Sequence, residues 1–141
     1  MNSSLIGWVA LVVVVLVVGG VVALVVWRFK RPKKLNTEEF QNRWRELQKL
    51  LRNKDRWDVA LVDADNLLDM ALKKKRFRGG SMGERMVKAQ KLFTENDGVW
   101  FAHKLRKELE ANPEFKLKEK DLKAALIALR QALKDLGALK K

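Results

Sequence analysis

The chain contains a single histidine, His103, and Arg106 follows it by about one helical turn, so both side chains share one side of a helix. Trp100 lies one turn before His103 on the same side. An earlier helical segment carries Asp65 and Asp69, which share a face at a spacing of four residues. These groups can form an acid–base site or an ion pair. We interpret His103 and Arg106 as a polar pair, partly buried beside Trp100 and the aspartates, that fixes the register between helices.

A metal site is the alternative use of Asp65 and Asp69, together with Asp63. Metal sites in helical bundles combine carboxylates with histidines from several helices, typically as Glu-x-x-His, and the sequence contains no such pair. It also contains no cysteine, nucleophile elbow, Walker motif, kinase signature or zincin motif. We therefore predict no catalytic residue, no metal and no cofactor, and a protein that is not an enzyme.

The loop RGGSMGER, which spans residues 78–85, has two interpretations. Ser81 and Glu84 have the spacing of a capping box ahead of an apolar helix. Glycines before a helix can also expose N–H groups to a phosphate. The loop follows a helix and lacks the P-loop lysine, so capping is the favoured interpretation and anion binding stays open.

A basic run precedes this loop at the end of a predicted helix, where the helix dipole favours cations. The chain as a whole carries a net charge of +13, which implies attraction to anionic lipid or nucleic acid without specifying either. The run is also the candidate anion or phosphate patch, formed by Lys73, Lys74, Lys75, Arg76 and Arg78.

Five amphipathic segments position these residues. The first opens at Asn36, with Glu39 three residues on in a second capping-box arrangement. The last ends before Gly137, the expected helix stop. Apolar residues recur at helical spacing in every segment and no stretch alternates with period two. The sequence thus predicts an all-α bundle of four to five helices, with core positions for Trp44, Trp57 and Trp100.

An uninterrupted apolar stretch without charged side chains runs from Leu5 to Trp27. As a helix it would extend about 34 Å, enough to cross a hydrocarbon core of about 30 Å. Trp8 and Trp27 would lie about 28 Å apart along its axis, near the two interfaces. No basic residue precedes the stretch and no cleavage site follows it, which argues against a signal peptide. We predict a retained transmembrane helix.

The flanks of this helix set its expected orientation. Basic residues lie only on the C-terminal flank, so the positive-inside rule places the N-terminus outside and the following domain in the cytoplasm. Pro32 is expected to stop the helix. We predict a short external N-terminus at 1–4, the transmembrane helix at 5–27, a basic linker at 28–36, the helical bundle at 37–137 and a basic tail at 138–141. The expected membrane-surface cluster is Arg28, Lys30, Arg31, Lys33 and Lys34.

The run DGVWFAHKLRKELEANPEF and the final QALKDLG resemble a group of uncharacterised bacterial membrane-anchored proteins with a helical domain. More distantly, roughly residues 55–137 resemble the HEPN superfamily of four-helix bundles, many of which are RNases in toxin and defence systems. The HEPN signature is an arginine, a polar residue that is often asparagine, three further residues and a histidine. Arg106 matches the arginine, Lys107 takes the polar position and Ala111 replaces the histidine. Because alanine cannot transfer a proton, the resemblance implies an inactive HEPN-like bundle.

We therefore expect a single-pass protein of the plasma (inner) membrane whose cytoplasmic bundle is a non-catalytic interaction or scaffold module. Its expected partners are the anionic inner leaflet and a protein that the sequence does not name. Gly19 and Ala23 have the small-xxx-small spacing that lets a second helix approach closely, so a homodimer is left open. The alternative function is a membrane-tethered HEPN-like domain that binds or processes RNA through the basic patch.

Overall fold

The computed structural model describes residues 2–31 and 33–141, without the side chain of Lys30. The chain divides into two units, residues 1–32 and residues 33–141. Within the described ranges about 77% of the chain is helical and no strand occurs. The predicted all-α class, with an apolar N-terminal helix followed by a helical bundle, is confirmed.

The first unit is one long helix, α1 (Ser3–Lys30). Within its stretch Ser3–Phe29, the most apolar window of 18 residues has a mean hydropathy of 3.4, and none of that window is buried. A core helix of a globular domain would bury this surface, since apolar side chains leave water whenever protein can cover them. The helix is therefore long and apolar enough to span a membrane. Pro32, the expected helix stop, lies outside the described residues.

The second unit contains five α-helices, as the periodicity predicts. They are α2 (Thr37–Leu50), α3 (Trp57–Lys74), α4 (Met82–Ala89), α5 (Asn96–Ala111) and α6 (Glu119–Asp135), with 3-10 turns at Lys54–Arg56 and Gln90–Leu92. Helix α3 lies at the centre and packs against all four of the others, while α5 also packs along α6. Helix α3 is therefore the element to which the remaining helices are joined.

The expected helix caps form at Asn36 and Ser81, but neither glutamate accepts the return hydrogen bond from the amide of its capping residue. Asn36 Oδ1 accepts a hydrogen bond from the Glu39 amide at 3.3 Å, and Ser81 Oγ accepts one from the Glu84 amide at 3.2 Å. The Glu84 carboxylate accepts from the Gly80 amide at 2.7 Å. The Glu39 carboxylate instead bonds Lys74 of α3, because a cation lies within its reach there. Local caps therefore start α2 and α4.

The core follows the apolar stripes, and the predicted tryptophans divide into two kinds. Trp44 is buried, whereas Trp57 and Trp100 are only partly buried against the core. The prediction that Trp57 and Trp100 are core residues was wrong, because each ring packs on the core and stays partly exposed. The Trp57 indole lies at the domain edge, where its N–H donates to the Leu51 carbonyl at 3.1 Å. Large aromatic rings with a polar N–H often occupy such edges, because the ring is apolar and the N–H needs an acceptor.

The two ends of the bundle extend further than predicted. Gly137 has a φ of 78°, the left-handed conformation of a helix stop, and the Ala138 amide then reaches the Leu133 carbonyl at 2.8 Å. This turn folds Ala138 and Leu139 back into the core, so 138–141 is not simply a basic tail. Leu35, in the range predicted as linker, is also buried.

Candidate functional site

Asp65 of α3 is a carboxylate buried inside the bundle, with none of its surface exposed. Its Oδ2 accepts hydrogen bonds from two groups of α5, His103 Nδ1 at 2.9 Å and Arg106 Nη1 at 3.0 Å. Its Oδ1 is also buried and has no hydrogen-bond partner among the described residues. A buried carboxylate is costly unless it is paired, and here a single oxygen makes all of the pairing.

The i, i+3 spacing within α5 brings both donors to Asp65, while their further contacts differ. Arg106 Nε also donates to Glu110 at 3.0 Å, one turn further on. Partial burial acts to lower the pKa of Arg106, but the hydrogen bonds and charges of Asp65 and Glu110 outweigh it and raise that pKa above its ordinary value. Arg106 is therefore a permanent cation. The His103 ring is nine-tenths buried and meets Trp100 edge to face, with ring centroids 6.3 Å apart.

Asp69, one turn further along α3, is held by a cation that sequence reasoning missed. Arg85 of α4 donates to both of its oxygens, from Nε at 2.7 Å and Nη2 at 3.0 Å, and also to the Gly79 carbonyl at 2.7 Å. Lys73 adds an ion pair at 3.0 Å. Burial acts to raise the pKa of Asp69, but these donors outweigh it and hold the pKa below its ordinary value.

A signal for Arg85 was present in the sequence. Arg85 lies three residues after Met82, directly before Met86 and four residues before Ala89, so it belongs to the same apolar stripe. Arg85 and these three apolar residues are all buried. An arginine within an apolar stripe needs an acidic partner inside the fold, because a buried cation is otherwise too costly. The two predicted aspartates therefore have different partners. Asp65 binds His103 and Arg106, whereas Asp69 binds Arg85. Asp63 is exposed, and no group of three potential metal ligands occurs in the described part of the chain.

The candidate phosphate patch is not a row of uncommitted cations. Lys73 pairs with Asp69, and Lys74 pairs with Glu39 at 2.8 Å. Lys75 is partly buried and Arg78 is exposed. Arg76 has a φ of 65°, because the chain turns there after α3 with the same left-handed stop that Gly137 provides after α6. The basic run therefore ends α3 and joins it to α2. Because two of its lysines are paired with acids, less of its positive charge is available to a ligand.

The residues on which the resemblance to the HEPN signature rests lie in the second half of α5. Lys107 is exposed, and Ala111 is the exposed last residue of the helix. Arg106 is committed to Asp65 and Glu110, as described above. The position where an HEPN RNase carries its histidine thus offers no proton donor or acceptor from a side chain.

The basic residues after the apolar helix are exposed where the structure describes them. Arg28 belongs to the end of α1, and the Arg31 guanidinium lies 3.8 Å from the centroid of the Trp27 ring. Lys33 and Lys34 are exposed, and the side chain of Lys30 lies outside the described residues. A tryptophan followed by basic residues at the end of an apolar helix is typical of the boundary between hydrocarbon and headgroups.

A cleft of about 390 Å³ opens between the start of α4 and the outer face of α5. Its walls include Gly83 and Ser81 on one side and Trp100, His103 and Lys107 on the other. The His103 ring is thus shared between the buried carboxylate behind it and the open cleft in front. Other surface clefts lie between α2 and α3 and beside Pro113, and neither is lined by a histidine or a buried carboxylate.

Comparisons with protein-family models, with curated proteins and with solved structures give no match to this chain.

Proposed function

We propose that this chain is a single-pass membrane protein whose C-terminal helical bundle is a non-catalytic interaction module held at the cytoplasmic face of the plasma (inner) membrane. The observation that carries this proposal is the stretch Ser3–Phe29, which is apolar, unburied and of membrane-spanning length. The orientation rests on the basic residues, since all of those near the apolar stretch follow Trp27. The bundle supplies the surface, and the helix supplies the location.

The ion pairs of the bundle support the role of an interaction module. Its buried ionisable groups are bound to one another, Asp65 to Arg106 and His103, and Asp69 to Arg85. Such pairs join α3 to α4 and α5 and so fix the register of the helices. A rigid bundle with an exposed, charged exterior is suited to present a constant surface to a partner.

The membrane assignment is tested by labelling single cysteines, because the chain has no cysteine of its own. Ser3→Cys and Lys141→Cys variants of the full chain are exposed to a membrane-impermeant maleimide in intact cells and again after permeabilisation. We expect Cys at position 3 to react in intact cells and Cys at position 141 to react only after permeabilisation. Reversed labelling would overturn the orientation, and release of the unlabelled chain by alkaline carbonate would overturn the membrane span.

The RNA-binding alternative is tested with the same full chain in phosphatidylcholine nanodiscs. We expect RNA to bind weakly at 150 mM salt, because Lys73 and Lys74 of the basic patch are already paired with acids. Tight binding that falls steeply with salt would replace the interaction-module proposal with the RNA alternative. A Lys75→Gln/Arg78→Gln variant would then lose affinity, whereas the matched Lys120→Gln/Lys140→Gln variant would keep it.

A further inference from the structure

The cleft between α4 and α5 is lined by residues whose amides have no hydrogen-bond acceptor in the described part of the chain. The first amides of a helix have no partner within the helix. In α4, which has eight residues, the Glu84 amide is capped by Ser81 Oγ and the Arg85 amide bonds the Ser81 carbonyl. The amides of Met82 and Gly83 have no acceptor among the described residues, and both residues line the cleft.

A second and independent feature is the free nitrogen of His103. The ring is 8% exposed and its Nδ1 is bound to Asp65. Its Nε2 has no hydrogen-bond partner among the described residues. The two ring nitrogens point in widely different directions, so Nε2 points away from Asp65, on the side where the ring lines the cleft. A buried imidazole with one nitrogen held by a carboxylate presents the other to a ligand.

The charges around the cleft favour an anion. Arg106 is balanced by Asp65 and Glu110, which leaves Lys104 and Lys107 as lining cations without an ion-pair partner among residues 2–31 and 33–141. Both lysines are exposed and flexible, so each can turn its ammonium group toward the opening. The acid of the opposite helix, Glu84, accepts from the Gly80 amide. Two unbonded amides, two ammonium groups and one imidazole thus belong to residues that line one cleft.

We infer that this cleft binds a phosphate group, with the Met82 and Gly83 amides and His103 Nε2 bonding its oxygens and Lys104 and Lys107 balancing its charge. Helix N-termini bind phosphate because the free N–H groups and the helix dipole both favour negative charge. The partly buried Trp100 ring forms a flat wall for the group that carries the phosphate. The site is distinct from the predicted basic patch and does not rest on the membrane assignment.

The test uses the full chain in phosphatidylcholine nanodiscs, titrated by calorimetry with glycerol 3-phosphate at 150 mM salt. Labelling with ¹⁵N-glycine reports on the eight glycine amides, and we expect the Gly83 resonance to shift. The Lys104→Gln/Lys107→Gln variant should lose about tenfold in affinity or more, while Lys120→Gln/Lys140→Gln, with the same change in net charge, should stay within about twofold. Equal weakening of both variants, or an unshifted Gly83, would overturn the site.

The contribution of His103 is measured with sulfate as the anion. His103→Asn keeps an N–H near the position of Nδ1 for Asp65 and removes Nε2. We expect this variant to unfold like the parent chain in urea and to bind sulfate more weakly. Unchanged affinity in the folded variant would show that His103 does not contact the anion.

The source of the phosphate is distinguished by placing it in the bilayer. Nanodiscs that contain phosphatidic acid are compared with phosphatidylcholine nanodiscs plus soluble glycerol 3-phosphate. A Gly83 shift that depends on Lys104 and Lys107 in the first sample assigns a lipid headgroup, and one confined to the second assigns a soluble phosphoester. A shift in neither sample overturns the inference, and cysteine labelling then still decides the membrane proposal separately.

Discussion

Asp65 and Asp69 lie one turn apart on α3, yet their surroundings are opposite. Both Asp69 oxygens are engaged by the planar fork of Arg85, and Lys73 adds a further bond at the solvent side. Asp65 uses one oxygen for two donors, and its other oxygen is buried without a partner among residues 2–31 and 33–141. Asp69 is thus part of a closed ion pair, whereas Asp65 holds a histidine at the edge of an open cleft.

The difference shows how one helix face can serve two purposes. Bidentate pairing with arginine gives a fixed geometry and leaves no group free for chemistry or binding. A histidine held by a carboxylate has a fixed orientation and a free nitrogen. We therefore expect removal of the Asp69 carboxylate to affect stability alone, and removal of the Asp65 carboxylate to affect stability and anion binding together.

The largest expected effect is that of Asp65→Ala. It leaves His103 without its acceptor inside the fold and removes one of two carboxylates from Arg106. Breaking a buried pair in this way should lower the free energy of unfolding by about 3–5 kcal/mol. Urea unfolding of the bundle, followed by tryptophan fluorescence, measures it. Asp63→Ala, an exposed carboxylate in the same helix, is the control and should change stability by less than about 0.5 kcal/mol.

Arg85→Ala tests the closed end of the comparison. The substitution leaves Asp69 with only Lys73, whose ammonium is largely exposed. We expect the free energy of unfolding to fall by about 3 kcal/mol. Lys73→Ala should cost less than about 1 kcal/mol, because exposed partners contribute little. Anion binding by the folded Arg85→Ala chain should remain near that of the parent. Equal losses of unfolding free energy in Arg85→Ala and Lys73→Ala would show that the bidentate geometry adds no stability.

Gly79→Ala tests whether the loop before α4 is needed to hold Arg85. A Cβ at Gly79 would lie 2.7 Å from the Glu84 Cβ and 3.1 Å from the Arg85 amide, so the loop would have to shift. We expect destabilisation of about 1–3 kcal/mol, the usual cost of overpacking. At Gly80 the nearest atoms would lie 3.7 Å away, so Gly80→Ala is the matched control and should cost less. Similar thermal midpoints for both variants would contradict the close approach at Gly79.

The smallest expected effect is the acid dependence of the Asp69 pair. Because the pKa of Asp69 is lowered on folding, its contribution is present above the ordinary value of 3.8 and is lost as the pH falls through the folded value. Between pH 6 and pH 3 the parent chain should therefore lose more stability than Asp69→Asn, by less than about 1 kcal/mol after solvent screening. Urea midpoints across this range measure the difference. Parallel curves would show that Asp69 is not stabilised as an anion.

The local features of the fold were predictable because they depend on residues a few positions apart. The caps at Asn36 and Ser81 and the stop at Gly137 each act within one turn, and apolar periodicity marked all five bundle helices. The buried end at Ala138 and Leu139 was missed, since two residues carry no periodic signal. The partial exposure of Trp57 and Trp100 was missed because periodicity identifies a face and not its depth.

The site was predictable only as a set of components. The sequence placed His103 and Arg106 together and named Asp65 and Asp69 as acids within reach, because helical spacing determines which residues share a face. It did not determine which cation meets which acid. The pairs span 16 residues for Arg85 and Asp69, 38 for His103 and Asp65, and 41 for Arg106 and Asp65.

By itself, the sequence determined the apolar helix, the amphipathic helices and their caps, since each depends on local hydrogen bonding and on the period of apolar residues. Only the tertiary structure decided that α4 and α5 meet α3 at neighbouring turns, so that one aspartate is closed by an arginine and the other supports a histidine beside a cleft. The physical reason is that ion pairing and clefts depend on distances between helices, which the packing of the whole core sets.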